Sequence, residues 1–297
     1  MNILITGGAG FIGSNLALEL EKEGNDISVI DNLSSSKKEN LKGFHGSLIE
    51  ADVSKSIRIE NNFDVIFHLA SITDTTFQNN TEMYRQNLAG FLNMLNLAIE
   101  KKSKFIYASS AGVYGNGPVP MRENQKLEPL NVYAHSKKII DDIAEKFFDK
   151  LHIVGLRYFN VFGPKEDYKG KSASMIYQLG KRMMQGTRPG IFIDGEQKRD
   201  HIYVKDVVNA TILAINAKKS GIYNVGTGIA TTFNELISIL NDALSTSMET
   251  EYFENPIKDV YQDNTQADTR NAEKYLNFKS KFKLKDAIKE YAGEIKK

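Results

Sequence analysis

Met1-Asn2-Ile3-Leu4-Ile5-Thr6-Gly7-Gly8-Ala9-Gly10-Phe11-Ile12-Gly13 opens the chain, and its reading decides the fold. Asn2–Thr6 is a short apolar run of the kind that forms a buried strand. Glycines follow at once, spaced as Gly7-x-x-Gly10-x-x-Gly13 and equally as Gly8-x-Gly10-x-x-Gly13. Ile12, Leu16, Leu18 and Leu20 then recur at helical spacing to about Lys22. A strand that turns on glycine into a helix presents unpaired N–H groups and the positive end of a helix dipole. Missing side chains let a pyrophosphate approach that backbone, so the stretch reads as a dinucleotide site. Asp26–Asp31 is the next strand, and Asp31 stands at about the distance of the acid that accepts from a ribose 2′-hydroxyl. Its charge favours NAD, while Lys37 and Lys38 are placed to offset repulsion of a 2′-phosphate. The expected cofactor is NAD or NADP, one tightly bound per chain. Asp52, after the next apolar run, is expected near the adenine.

Outward from this site the alternation continues. Asp64–Ala70 and Lys104–Ala108 read as strands, Thr81–Glu100 and Val132–Asp149 as helices, and Ile153–Arg157 as a further strand. Strand–helix–strand units at this spacing predict an α/β fold, a doubly wound parallel Rossmann sheet covered on both faces. From about Gly163 the pattern loosens, with one helix expected over Ser172–Gln185. The expected division is a dinucleotide-binding domain at 1–163, with a returning segment at about 201–226. A smaller C-terminal substrate-binding lobe takes 164–200 and 227–297.

Composition excludes several classes. Lys+Arg number 38 against 37 Asp+Glu, so the large basic excess of a nonspecific nucleic-acid binder is missing. With 0 cysteines, disulfides, zinc–thiolate sites, Fe–S clusters and cysteine nucleophiles are ruled out together. His68, His135 and His201 have no metal-ligand spacing with carboxylates, so no metal site is expected. No apolar run reaches membrane-span length, and Met1–Thr6 lacks the basic and longer apolar segments of a secretion signal. The expectation is a soluble, cytoplasmic protein with neither a nucleic-acid nor a membrane partner.

Tyr133-Ala134-His135-Ser136-Lys137 carries the chemistry. Residues four apart on a helix share a face. A phenol is a poor base near neutral pH, and a neighbouring ammonium together with a positive nicotinamide would favour its phenolate. Ser110, in Ala108-Ser109-Ser110-Ala111 at a strand end, is placed to bridge the tyrosine and a substrate oxygen. A lone Tyr-x-x-x-Lys is common on solvated helices; the glycine loop and the serine set this one apart. Arg199, beside Asp200, has the planar fork that grips a diphosphate in two places.

Taken together, these motifs resemble those of the extended short-chain dehydrogenase/reductase family, in particular its nucleotide-sugar epimerases and dehydratases. The resemblance spans nearly the whole chain. It also rests on Asp31-Asn32-Leu33, Asn87, Ser109–Gly115, Arg157–Pro164, Arg199–Val207 and Tyr223–Gly226. It implies a bound nicotinamide dinucleotide and a lobe that grips a nucleotide-diphosphate sugar. Ser109-Ser110-Ala111 replaces the Thr-Asp-Glu of the dehydratases, which removes the acid that would expel water. Pro129–Tyr133, Gly163–Ser174 and Tyr261–Asp268 narrow the resemblance to the branch that inverts carbon 6 of an ADP-linked heptose, and there Lys169 is the second acid/base. Lys171, where a serine is usual, and Asp31–Ser36, which resembles the UDP-hexose 4-epimerases, depart from that branch.

The resemblance implies Tyr133, Lys137, Ser110 and Lys169 as catalytic residues. Cofactor contacts fall to Gly7, Gly10, Phe11, Ile12, Gly13, Asp31, Asn32, Lys38, Asp52, Leu69, Ala70, Asn87, Tyr133 and Lys137. Substrate contacts fall to Thr73, Asn160, Val161, Lys171, Arg199 and Tyr261. An epimerase is the leading reading. A UDP-glucose/galactose 4-epimerase, a nucleotide-sugar 4-ketoreductase or dehydrogenase, and a dinucleotide-sensing protein stay open. By the same analogy the chain is expected to be a homo-oligomer, a dimer or higher, through the helices at Thr81–Glu100 and Val132–Asp149.

Overall fold

A computed structural model describes all residues except 75, 76, 78 and 257–260. The first half runs β1 (Asn2–Thr6), α1 (Phe11–Lys22), β2 (Asp26–Asp31), β3 (Ser47–Glu50), β4 (Val65–His68), α2 (Asn80–Lys101), β5 (Lys104–Ser110), α3 (Val132–Glu145) and β6 (Ile153–Tyr158). The second half runs β7 (Asn160–Phe162), α4 (Met175–Met184), β8 (Gly190–Phe192), β9 (Lys198–Arg199), β10 (His201–Tyr203), α5 (Val204–Leu213) and β11 (Gly221–Val225). It closes with β12 (Thr231–Thr232), α6 (Phe233–Leu244), β13 (Glu251–Phe253), α7 (Arg270–Leu276) and α8 (Leu284–Ile295).

Seven strands form one parallel sheet in the order β11-β6-β5-β4-β1-β2-β3. Successive side chains of a strand face opposite ways, and β1 uses both faces. Ile3 and Ile5 pack with Leu16 and Leu20 of α1 and Val207 of α5. Leu4 packs with Phe91 and Leu95 of α2 and Ile140 and Ala144 of α3. Two apolar faces explain why the strand reads as a continuous apolar run. Strand order reverses between β1 and β4, which opens a crevice beyond their C-terminal ends, where open α/β sheets hold ligands. In the C-terminal part Leu179 and Met183 of α4, Leu240 of α6 and Tyr291 and Ile295 of α8 are buried in the first of these two cores.

Where expectation and structure differ, packing gives the reason. α3 ends at Glu145, short of Asp149, because Phe147, Phe148 and Leu151 fold back onto the core beneath α2 and turn the chain toward β6. α4 begins at Met175, not Ser172. Ser174 is its N-cap and accepts from the Tyr177 amide at 3.1 Å. Buried Glu166 holds that cap in place, accepting from the Ser174 amide at 2.6 Å and its hydroxyl at 2.9 Å. After Arg199 the chain runs through β10 and α5 into β11, which pairs with β6.

Candidate active site

A cavity of about 880 Å³ lies over the C-terminal ends of β1, β4 and β5. Its floor is the glycine turn. Gly7 has φ +69°, and a Cβ there would meet the Ala70 amide nitrogen at 2.7 Å. A Cβ on Gly13 would come within 2.1 Å of the Gly7 carbonyl oxygen, so the first turn of α1 packs on the loop only without a side chain. Gly10 caps α1 with no side-chain hydrogen bond, which leaves the N-terminal amides to partners outside the helix. This geometry suits a dinucleotide's pyrophosphate.

Asp31 is buried and clamped at the edge of the same cavity. Its carboxylate accepts from the Ala9 amide at 3.0 Å, the Leu33 amide at 2.9 Å and the Ser36 hydroxyl at 2.8 Å. A carboxylate offers about four acceptor directions, so one is left for a ribose hydroxyl. Asn32, Asp52, Leu69, Ala70 and Asn87 also line the cavity. Asn87 is busy with the fold: its amide accepts from the Ile72 amide at 2.8 Å and donates to Ser136 Oγ at 3.1 Å. Lys38 is exposed and outside the lining; Lys37 lines the cavity instead and pairs with Asp167 at 2.9 Å.

Tyr133, Lys137 and Ser110 meet on the wall formed by α3 and β5. Lys137 Nζ lies 5.7 Å from the centre of the Tyr133 ring and donates to the Ala108 carbonyl at 2.8 Å. Burial pushes the Tyr133 phenol up to about 12, and a hydrogen bond with Ser110 only partly opposes this. Favouring the phenolate against this burial falls to the lysine together with a positive nicotinamide, the pairing that the sequence reading invokes. Burial lowers Lys137 to about 8, with the Asp141 carboxylate one turn away working to keep it charged. Asp141 accepts from Tyr107 Oη at 2.9 Å, Ser109 Oγ at 3.0 Å and Arg157 Nε at 2.9 Å. It thereby locks the end of β5 against α3. Neutral His68, lowered to about 3 by burial and then by Lys137, bonds Thr6 Oγ1 through Nδ1 at 2.8 Å.

Lys169 enters the same cavity from the turn Asp167–Ser172. Its Nζ lies 5.5 Å from the centre of the Phe11 ring. Burial lowers its pKa, and the Glu166 carboxylate opposes that shift. A lysine so displaced exchanges its proton more readily near neutral pH. Thr73 and Val161 also line the cavity, as does Ser172, whereas Lys171 is exposed and outside the lining. Asn160, too, is outside it, donating to the Asp200 carbonyl at 3.1 Å and to Thr265 Oγ1 at 2.8 Å. Arg199 and Tyr261 meet each other, guanidinium over ring at 4.7 Å, without lining the cavity. Arg199 donates to the carbonyls of Lys198 and Asp263 rather than pairing with Asp200.

Sequence reasoning passed over Glu166, Tyr168, Ser71 and Ile72. Only adjacency to Lys169 or Ala70 marked them. Among the described residues no three His, Cys, Asp or Glu side chains gather into a metal-binding cluster, and no helix is long and apolar enough to cross a membrane.

The comparisons with known proteins agree with this geometry. A protein from Brachyspira hyodysenteriae named ADP-L-glycero-D-manno-heptose-6-epimerase is 38% identical, over 99% of this chain and 98% of its own length. The crystal structure of the Helicobacter pylori protein of that name superposes with a TM-score of 0.93 at 39% identity, covering 99% of this chain and 96% of that one. UDP-glucose 4-epimerase from Thermotoga maritima, solved with UDP-glucose, gives 0.91 at 31% identity over 99% and 98% of the two chains. The glycine turn, the clamped acid and the Tyr-x-x-x-Lys wall all fall within residues 3–226, which match the model of one family, and the chain belongs to it: the NAD dependent epimerase/dehydratase family.

Proposed function

We propose that the chain is a nucleotide-sugar epimerase acting on an ADP-linked heptose at carbon 6. The observation that carries this is the pairing of two proton-exchanging groups on one cavity: Tyr133, from the α3 wall, and Lys169, from the turn after β7. Inversion returns hydride to the opposite face of the oxidised carbon, and two proton-exchanging groups can serve its oxygen in either orientation. When bound, NAD supplies the reversible oxidation of that carbon, so no net oxidant is consumed. Tyr133 takes the hydroxyl proton, with Ser110 orienting the oxygen and Lys137 offsetting the phenolate's charge. Once the intermediate ketone has turned its other face, Lys169 returns a proton to its oxygen. Asp31 and the commitment of Lys37 to Asp167 support an unphosphorylated ribose, hence NAD rather than NADP. Arg199 and Tyr261 are the groups proposed to meet the substrate's diphosphate and base.

The test is incubation of the purified protein, without added cofactor, with one carbon-6 epimer of ADP-glycero-manno-heptose. Appearance of the other epimer by proton NMR is the expected result. Conversion of UDP-glucose to UDP-galactose instead would assign the chain to the second reading, a 4-epimerase, which the likeness to the Thermotoga maritima structure favours. Stoichiometric consumption of reduced dinucleotide would replace both with a reductase.

A further inference from the structure

The Phe11 amide is the first of the open N-terminal amides of α1 and the one nearest the glycine turn. It donates to the hydroxyl of Tyr168 at 2.7 Å, across 157 residues of sequence. An ideal Cβ on Gly10 would lie 3.5 Å from the same hydroxyl, in van der Waals contact, so this phenol sits directly against the glycine turn. Tyr168 sits in the turn that carries Lys169, and both line the cavity with Gly10, Phe11 and Ile12. Further ties fasten this segment to the dinucleotide side: Lys37 to Asp167 at 2.9 Å, Asn15 Nδ2 to the Pro164 carbonyl at 3.1 Å, and Lys165 Nζ to the Asn40 carbonyl at 2.7 Å.

We propose that Tyr168 is a cofactor-retaining and positioning residue. Its hydroxyl accepts from the Phe11 amide and donates to the dinucleotide's diphosphate, and so docks the Lys169 turn onto the bound cofactor. A phenolic oxygen can accept and donate at once. Burial holds this phenol up at about 12, so at neutral pH it keeps the proton it needs to donate. One residue thereby serves both halves of the site. Phe11 presents its amide to Tyr168 and its ring to Lys169, so a turn released from the amide also loses the seat of the second base. The arm concerning Lys169 rests on the function proposed above; the arm concerning retention rests only on the family's dinucleotide.

The test uses the holoprotein loaded with NADH and displaced by excess NAD, with release followed by loss of NADH fluorescence. Tyr168→Phe keeps the ring and removes the hydroxyl. It should speed release about tenfold, the low end for one hydrogen bond to a charged group, while the melting temperature of the dinucleotide-free protein falls by no more than about 4 °C, as for one lost hydrogen bond. In epimerisation the same variant should lower kcat more than it changes KM for the sugar. Release at the wild-type rate, or slower because the phenol merely competes for the Phe11 amide, overturns the proposal. Should Tyr168→Phe fold poorly, Asp167→Asn carries the test, since it cuts a solvent-exposed tie: release about two- to threefold faster is expected, and an unaltered rate overturns the docking. A wild-type protein that shows this contrast but leaves the heptose untouched fails the proposed function and leaves this inference standing.

Discussion

Tyr133 and Lys137 lie one helical turn apart, and burial drives both toward their uncharged forms. Tyr133→Phe removes the group proposed to take the substrate proton, and turnover should fall roughly 10²–10⁴-fold, the usual worth of a positioned base. Lys169→Ala should collapse epimerisation as well, yet leave dinucleotide release within a factor of two or so of wild type. Steady-state kinetics beside the release assay separates the two, and near wild-type turnover in Lys169→Ala would reduce that residue to a loop lysine. Lys137 also makes a thermodynamic prediction. Its pKa is about 8 in the folded chain and 10.5 in the unfolded one. Below pH 8 both states hold the proton; between 8 and 10.5 the unfolded state holds more, so stability rises with pH. Lys165, also lowered to about 8, acts in the same direction. Above pH 10 the buried tyrosines Tyr107 and Tyr158 reverse the trend, because their folded-state pKa values are raised. Urea unfolding from pH 8 to 9.5 should therefore show a positive slope that is smaller in Lys137→Met, by about 1–2 kcal/mol across that window. Equal slopes would show that Lys137 is not desolvated.

At the scale of elements, the ties between β5, α3 and β6 converge on one carboxylate. Arg157 and Asp141 are 2% and 1% exposed, so this is a fully buried ion pair. Asp141→Ala leaves a guanidinium buried without its counter-charge and should cost about 3–5 kcal/mol. Chemical denaturation measures it, and a loss below about 1 kcal/mol would mean that the remaining bonds of Arg157, to Tyr114 Oη at 2.9 Å and the Glu123 carbonyl at 3.1 Å, hold the strand end unaided. The elements also differ in how plainly the sequence announces them. β1, α1, β2 and α2 were legible because each buries a regular apolar pattern. β3 was not, since Ser47-Leu48-Ile49-Glu50 is a largely exposed edge. α6 carries a capping box, Thr232 with Glu235, that a search for caps finds. β7 to β10, β12 and β13 span two or three residues each and are too short to show a period. The site divides the same way. The glycine turn and Tyr133/Lys137 are local motifs that sequence displays. Tyr168 and Glu166 draw their meaning from partners brought near by folding, and Lys37, which the sequence places near the ribose, finds Asp167 only in the folded chain.

For the molecule as a whole, the cavity joins the sheet to the turn Asp167–Ser172, so a ligand filling it stabilises both. Dinucleotide present at 100 times its Kd should add about 2.7 kcal/mol to unfolding. Protein stripped of dinucleotide should then melt several degrees lower and recover on addition of NAD, as scanning calorimetry would show; no recovery would mean that the cavity does not take NAD. The seventh strand carries a different consequence. β6 ends at Tyr158, and β11, which covers its outer edge, ends only at Val225. Between them the chain builds β7, α4, β8, β9, β10 and α5. During synthesis on the ribosome, at about 5–20 residues per second, β6 must wait several seconds with an apolar edge unpaired, the kind of edge that recruits other chains. Completion of the sheet is thus timed by elongation, and the nascent protein is most exposed to aggregation and most in need of chaperones during that interval.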